Sequence, residues 1–127
     1  MSTRAVFTFK DSENIFSVYK HSDGYLTGAL DALLKAKKLA WELPRFEASE
    51  FATAFIAMNK KRSGEVYLTT GPEDHGDLNY RYVVEYKDDD VFITAYAVWN
   101  DGDEELFKGT LHRFNRDAAA IQSGLNN

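Results

Sequence analysis

Lys20-His21-Ser22-Asp23-Gly24-Tyr25 is the densest run of polar chemistry in this chain. An amine, an imidazole, a hydroxyl, a carboxylate and a phenol stand side by side there, just ahead of a helical pattern that opens at Leu26. A helix start offers unpaired N–H groups that suit an anion. Lys20 with those amides therefore reads as a phosphate site, with Asp23 placed to bond hydroxyls and Tyr25 placed to stack. An ordinary turn accounts for the same residues, and on spacing alone it is the simpler account: Asp23-Gly24 reverses the chain, and Ser22 or Asp23 bonds nearby amides. His21 by itself reads more readily as a satisfied loop histidine than as a base.

Other chemistry is thinner. The three histidines, His21, His75 and His112, include no pair at helical i, i+4 spacing, and there is no cysteine, so no metal site and no thiol nucleophile is expected. Ser22 lies in no nucleophile-elbow pattern. The acidic runs Asp88–Asp90 and Asp101–Glu105 lack the alternating spacing of a calcium loop and read as solvated turns. Lys60-Lys61-Arg62 closes a helical pattern, where the helix dipole favours cations. Tyr80, Tyr82 and Tyr86 alternate along one strand with Arg81 between them, and Trp99 and Asn100 end the next strand. Such tyrosine rows are usually core, yet they also make platforms for flat bases. Beyond the last strand, His112, Arg113 and Arg116 add cations at a helix start, where the dipole calls for a compensating anion such as Asp117.

The elements that must position these groups follow from periodicity. Residues 4–10 alternate as a strand with Phe7 and Phe9 on one face, and Ile15–Tyr19 pairs with it as a hairpin. Leu26, Leu30, Leu33, Leu34, Ala40 and Trp41 recur at helical spacing until Pro44 stops the helix near Leu43. A second helix runs from about Ala48 to Lys60. Four strands follow: Glu65–Thr70, Tyr80–Lys87, an apolar Val91–Trp99 expected at the centre of the sheet, and Leu106–Leu111. Asn115 is the expected cap of a short final helix through Gln122, and Ser123–Asn127 reads as frayed. The expected architecture is α+β in one domain: an antiparallel sheet of about six strands with two helices inserted after the second strand and a short C-terminal helix.

Composition bounds the partners. A 127-residue chain with 44% hydrophobic residues and 14% aromatics suits one packed domain and argues against disorder. A net charge of −5 disfavours a long nucleic acid but permits a small anion held by a few donors. No apolar run suggests a signal peptide or a membrane span, so a cytoplasmic location is expected, which for a viral gene means the host cytoplasm.

Ser2-Thr3-Arg4-Ala5, a hairpin, and then Tyr19-Lys20-His21-Ser22-Asp23-Gly24-Tyr25 with Gly28 resemble a group of small, mostly phage-encoded proteins whose related segment reads H-[SW]-D-G-Y-P-x-G. Leu26 stands here where proline is usual, which implies a turn less rigid than in that group. Proteins of this size and plan resemble the anti-defence sponges that counter Thoeris immunity. These sequester cyclic ADP-ribose-type signals or cyclic dinucleotides between subunits of an oligomer, without cleaving them. The resemblance thus implies a homo-oligomer with a small cyclic nucleotide as partner, no membrane partner and no cofactor.

No binding position is carried over from those proteins; the candidate residues come from their own chemistry. Tyr25, Tyr82 and Trp99 are expected to stack; Arg4, Lys20, Arg81, Arg113 and Arg116 to neutralise phosphate; Asp23 and Asn100 to bond ribose hydroxyls or base edges; His21 lies among them. Two other classes remain open. One is an inhibitor that docks on a host protein. The other is a small phosphodiesterase using His21 and His75, although the chain lacks the paired H-x-[ST] motifs of such enzymes.

Overall fold

The first strand is buried on both faces over its first half: Ala5, Phe7 and Phe9 of β1 (Ala5–Lys10) point into the main core and Val6 to the other face, and β1 pairs antiparallel with β2 (Ile15–Lys20). The computed structural model describes residues 2–125. After β2 come α1 (Leu26–Leu39), α2 (Ala48–Asn59), β3 (Val66–Thr69), β4 (Tyr80–Lys87), β5 (Asp90–Trp99), β6 (Gly102–Thr110) and α3 (Leu111–Leu125). A single 3-10 turn, Pro72–Asp74, lies between β3 and β4.

The protein is α+β with a six-stranded sheet in the order β3-β2-β1-β4-β5-β6. The sheet is mixed, which corrects the antiparallel expectation: β4 lies parallel to β1, pairing Ala5 with Tyr80 and Phe9 with Val84. Nothing in strand composition separates the two modes of pairing. What decides is that the segment after β3, at one edge, crosses back over β2 and β1 before β4 begins. That crossing buries Leu78 on the sheet face away from the helices, against Val6 and Tyr19. The centre of the sheet is therefore the β1–β4 pair, whereas β5 lies one strand in from the edge.

The opposite face carries the main core. Phe51 and Phe55 of α2 pack on Phe9, Phe55 also meets Phe7, and Phe114 of α3 packs on Phe107 and Tyr82. The final helix is not short. It begins at Leu111, where the Thr110 hydroxyl accepts from the Arg113 N–H at 3.2 Å, so Thr110 rather than Asn115 provides the cap. Ser123–Leu125 belong to that helix, and Asn126 and Asn127 lie outside the described residues. The first helix ends at Leu39, earlier than expected, and Ala40–Glu47 connect it to α2 through a turn at Leu43–Pro44, where the Arg45 N–H donates to the Glu42 carbonyl at 3.1 Å. Asp11, in the β1–β2 turn, anchors that connection: its carboxylate accepts from Glu13 and Asn14 at 2.8 Å and from Ala48, at the start of α2, at 2.7 Å. No helix is long and apolar enough to cross a membrane among the described residues.

Candidate functional site

The β2–α1 loop is held through its main-chain groups, whose partners are backbone and side chains of other elements. Asp23 takes a left-handed conformation at φ 57°. Gly24 donates to the Thr3 carbonyl at 2.9 Å, and its carbonyl accepts from the Tyr82 hydroxyl at 2.6 Å. A Cβ on Gly24 would meet Thr3 O and Ala5 Cβ at 2.8 Å, and one on Gly28 would meet Asp23 O at 2.2 Å. Both glycines are therefore dictated by close backbone approach. Leu26 keeps an N–H that a proline at this helix start would lack. It donates to Gln122 Oε1 of α3 at 2.6 Å, so a side chain distant in sequence fixes this helix start in place of a rigid ring.

Three of the sequence candidates from this loop line one cleft. Lys20, Asp23 and Tyr25 share about 340 Å³ with Asp31 and Lys35 of α1, Asn59 of α2, and Lys61 and Glu65 beyond it. Lys20 is buried, and its Nζ donates to the Ser22 carbonyl at 2.5 Å. Burial lowers its pKa, partly offset by the Asp23 carboxylate. Lys35 is paired with Asp31 at 3.0 Å, and Glu65 with Arg62 at 3.0 Å. Lys20 and Lys61 have no carboxylate within ion-pair distance among the described residues and line the cleft with Asp23, a combination suited to a phosphate and a neighbouring hydroxyl. The polar face of α1 carried a signal for part of this, because Thr27, Asp31 and Lys35 continue the loop's chemistry at helical spacing. Asn59, Lys61 and Glu65 carried none, since only the packing of α2 against α1 brings them here.

The other candidates lie elsewhere. Tyr82 has no exposed surface; its ring stacks on Phe7 at a 4.9 Å centroid distance and meets Phe114 at 6.4 Å. Burial raises its phenol well above the usual value, which keeps it a hydrogen-bond donor. The stacking role expected of Tyr82 is thus taken by the core. Arg4 bonds Asp77 at 3.2 Å, and Arg81 bonds Asp103 and lies over the Tyr96 ring at 3.8 Å. Trp99 is exposed and donates to Glu104 at 3.0 Å, with Asn100 in the adjoining turn. Arg113 lies 6.0 Å from the Phe107 ring, and Arg116 grips Asp117 with two bonds, at 2.8 and 3.0 Å. Asp117 is therefore the compensating anion, and the α3 arginines stand apart from the cleft.

His21 joins a second constellation, on the sheet face away from the helices. Its Nδ1 lies 3.0 Å from the Tyr19 hydroxyl. The Tyr19 ring stacks on His75 at 4.5 Å, and His75 Nε2 lies 2.8 Å from Thr69 Oγ1. Burial raises the Tyr19 phenol, with a smaller push from Asp77. The crossing segment between β3 and β4 delivers His75 here, which no spacing in the sequence announces. Among the described residues, no group of three or more His, Cys, Asp or Glu side chains is placed to hold a metal ion. No known protein family, curated protein or solved structure matches the chain.

Proposed function

We propose that this chain binds a small cyclic nucleotide signal, of the cyclic ADP-ribose or cyclic dinucleotide type, and holds it without cleaving it, as an anti-defence protein of a phage acting in the host cytoplasm. The observation that carries the reading is the meeting of Lys20, Asp23 and Tyr25 in one cleft with Lys35 and Lys61. Lys61, which has no ion-pair partner among the described residues, and Lys20, which keeps its bond to the Ser22 carbonyl, meet a phosphodiester or pyrophosphate, Asp23 takes ribose hydroxyls, and Tyr25 offers an aromatic face. At about 340 Å³ the cleft lies at the lower end of small-ligand pockets. A cyclic dinucleotide overfills it, so the proposed assembly is a homo-oligomer in which a neighbouring copy completes the enclosure.

The test is capture and recovery. Purified protein is incubated with a panel of cyclic nucleotides, the free ligand is measured, and the protein is then heat-denatured and the released ligand identified. Depletion followed by intact release is expected, with Lys61→Ala weakening capture about ten-fold or more, the scale of a lost charge-assisted hydrogen bond. No depletion of any member overturns the reading.

A second reading, metal-free phosphodiester cleavage, is favoured by one observation. The two histidines it requires, His21 and His75, flank the same Tyr19 ring. Cleaved ligand in the same recovery assay, lost in His75→Ala, would establish it.

A further inference from the structure

A second and larger cleft lies at the other end of α1, and none of the residues considered above for nucleotide binding forms its floor. It encloses about 860 Å³ between the C-terminal half of α1 and the Ala40–Glu47 connection. Leu34, Leu43, Phe46, Phe51 and Val91 make the floor, and Trp41 stands at the lip, 42% exposed. The Arg45 guanidinium lies over the Trp41 ring at 3.2 Å and holds the indole in place. Phe46 is stacked on Tyr86 at 5.3 Å and tilted against Phe51 at 5.5 Å, so the floor is rigid aromatic surface.

The mouth is charged. Lys35, Lys37 and Lys38 line it together with Asp31 and Glu42. Lys35 is spent on Asp31, while neither Lys37 nor Lys38 has a carboxylate within ion-pair distance among the described residues. Their place in the last turn of α1 accounts for two lysines through the helix dipole. It does not account for the apolar floor they overhang, which a globular chain ordinarily closes.

We propose that this cleft is a binding site for a small amphiphilic anion, with an apolar body laid on the Leu34–Phe46 floor and a terminal carboxylate, sulfonate or phosphate between Lys37 and Lys38. The site is independent of the nucleotide reading, because its floor and its unpaired lysines do not line the smaller cleft. Burial of the body provides the affinity, and the two amines select the sign of the head group.

The experiment compares three ligands of one chain length, dodecanoate, dodecanol and dodecylammonium, each below its micellar concentration. Trp41 fluorescence is followed in a Trp99→Phe variant, so that one indole reports, and calorimetry on the unmodified chain gives a readout without tryptophan. Dodecanoate is expected to bind saturably, one per chain, at least ten-fold tighter than dodecylammonium, and to perturb Trp41. The exposed double variant Lys37→Glu/Lys38→Glu, checked for folding by circular dichroism, is expected to reverse that preference. Absence of saturable binding, equal affinity for the three head groups, or a preference unchanged in the double variant would each overturn the proposal. None of these outcomes bears on cyclic nucleotide capture, which Lys61→Ala tests separately.

Discussion

The two ends of α1 are built in opposite ways. At the N-terminal end the chain is pressed against its neighbours: Gly24 is clamped between Thr3 and Tyr82, Gly28 lies on the Asp23 carbonyl, and the Leu26 amide is taken by Gln122. At the C-terminal end the helix stops at Leu39, and the Ala40–Glu47 connection leaves an open apolar floor lined also by two unpaired lysines. The end rich in polar side chains is held by backbone contacts. The end that reads as an unremarkable proline stop holds the larger space. Polar residues in a loop thus serve two ends at once: Ser22 and Asp23 hold the turn through their main chain, while the side chains of Lys20, Asp23 and Tyr25 line the smaller cleft.

The largest expected effect lies at the N-terminal end. Gly28→Ala places a methyl group 2.2 Å from Asp23 O, and that oxygen belongs to a loop fixed on both sides. Backbone must move, and we expect a loss of about 2–3 kcal/mol, read as a lower urea midpoint at unchanged slope. The displaced turn carries Asp23 and Tyr25 with it, so nucleotide capture falls as well. A stability change below about 0.5 kcal/mol would mean that the turn is as yielding as the connection at the other end, and the contrast would be lost.

A smaller effect is expected where the open end is anchored. The Asp11 carboxylate joins the β1–β2 turn to the start of α2, the helix that supplies Phe51 to the floor of the apolar cleft. Its bond from Ala48, then that from Glu13, hold its carboxyl below the usual 3.8. A carboxyl lowered in the folded state contributes stability above its unfolded value and loses it as pH falls through the folded one. Asp11→Ala should therefore cost about 1 kcal/mol near neutral pH, in line with a lost helix cap. The gap to the unmodified chain should narrow as pH drops below about 4 and close once both states are protonated. A gap constant from pH 7 to 2 would assign the cost to packing instead.

What the sequence allowed to be read follows the same division between local and distant causes. The hydrophobic periods of β1 and α1 are local, and the faces they marked, with Phe7, Phe9 and Leu33, are the ones the core takes. The parallel β1–β4 pair could not be read, since it depends on a polar crossing segment whose one apolar anchor is Leu78. Of the candidate site, Lys20, Asp23 and Tyr25 were legible because they are neighbours in one loop. Tyr82 misled because alternation tells which residues share a face but not whether a helix covers that face. Asn59 was silent, Lys61 read only as a helix-end cation, and His75 was paired with His21 by residue type alone; each is carried to its place by an element packed from elsewhere.

The smallest expected change in stability belongs to Trp41→Ala, and it carries the most about the open end. The indole is 42% exposed and touches the fold mainly through Arg45, itself bonded to Glu47 at 3.5 Å. Its removal should therefore stay within about 0.5 kcal/mol of the unmodified chain, as for surface positions without a special role. Dodecanoate binding measured by calorimetry should nevertheless weaken several-fold, because the lip over the apolar floor is gone. A residue that costs almost nothing to remove yet controls a ligand is held for the ligand rather than for the fold. Should Trp41→Ala instead lower stability by 2 kcal/mol or more, on the scale of a core truncation, Trp41 would be a structural plug. Both ends of α1 would then be closed, one by backbone and the other by a side chain.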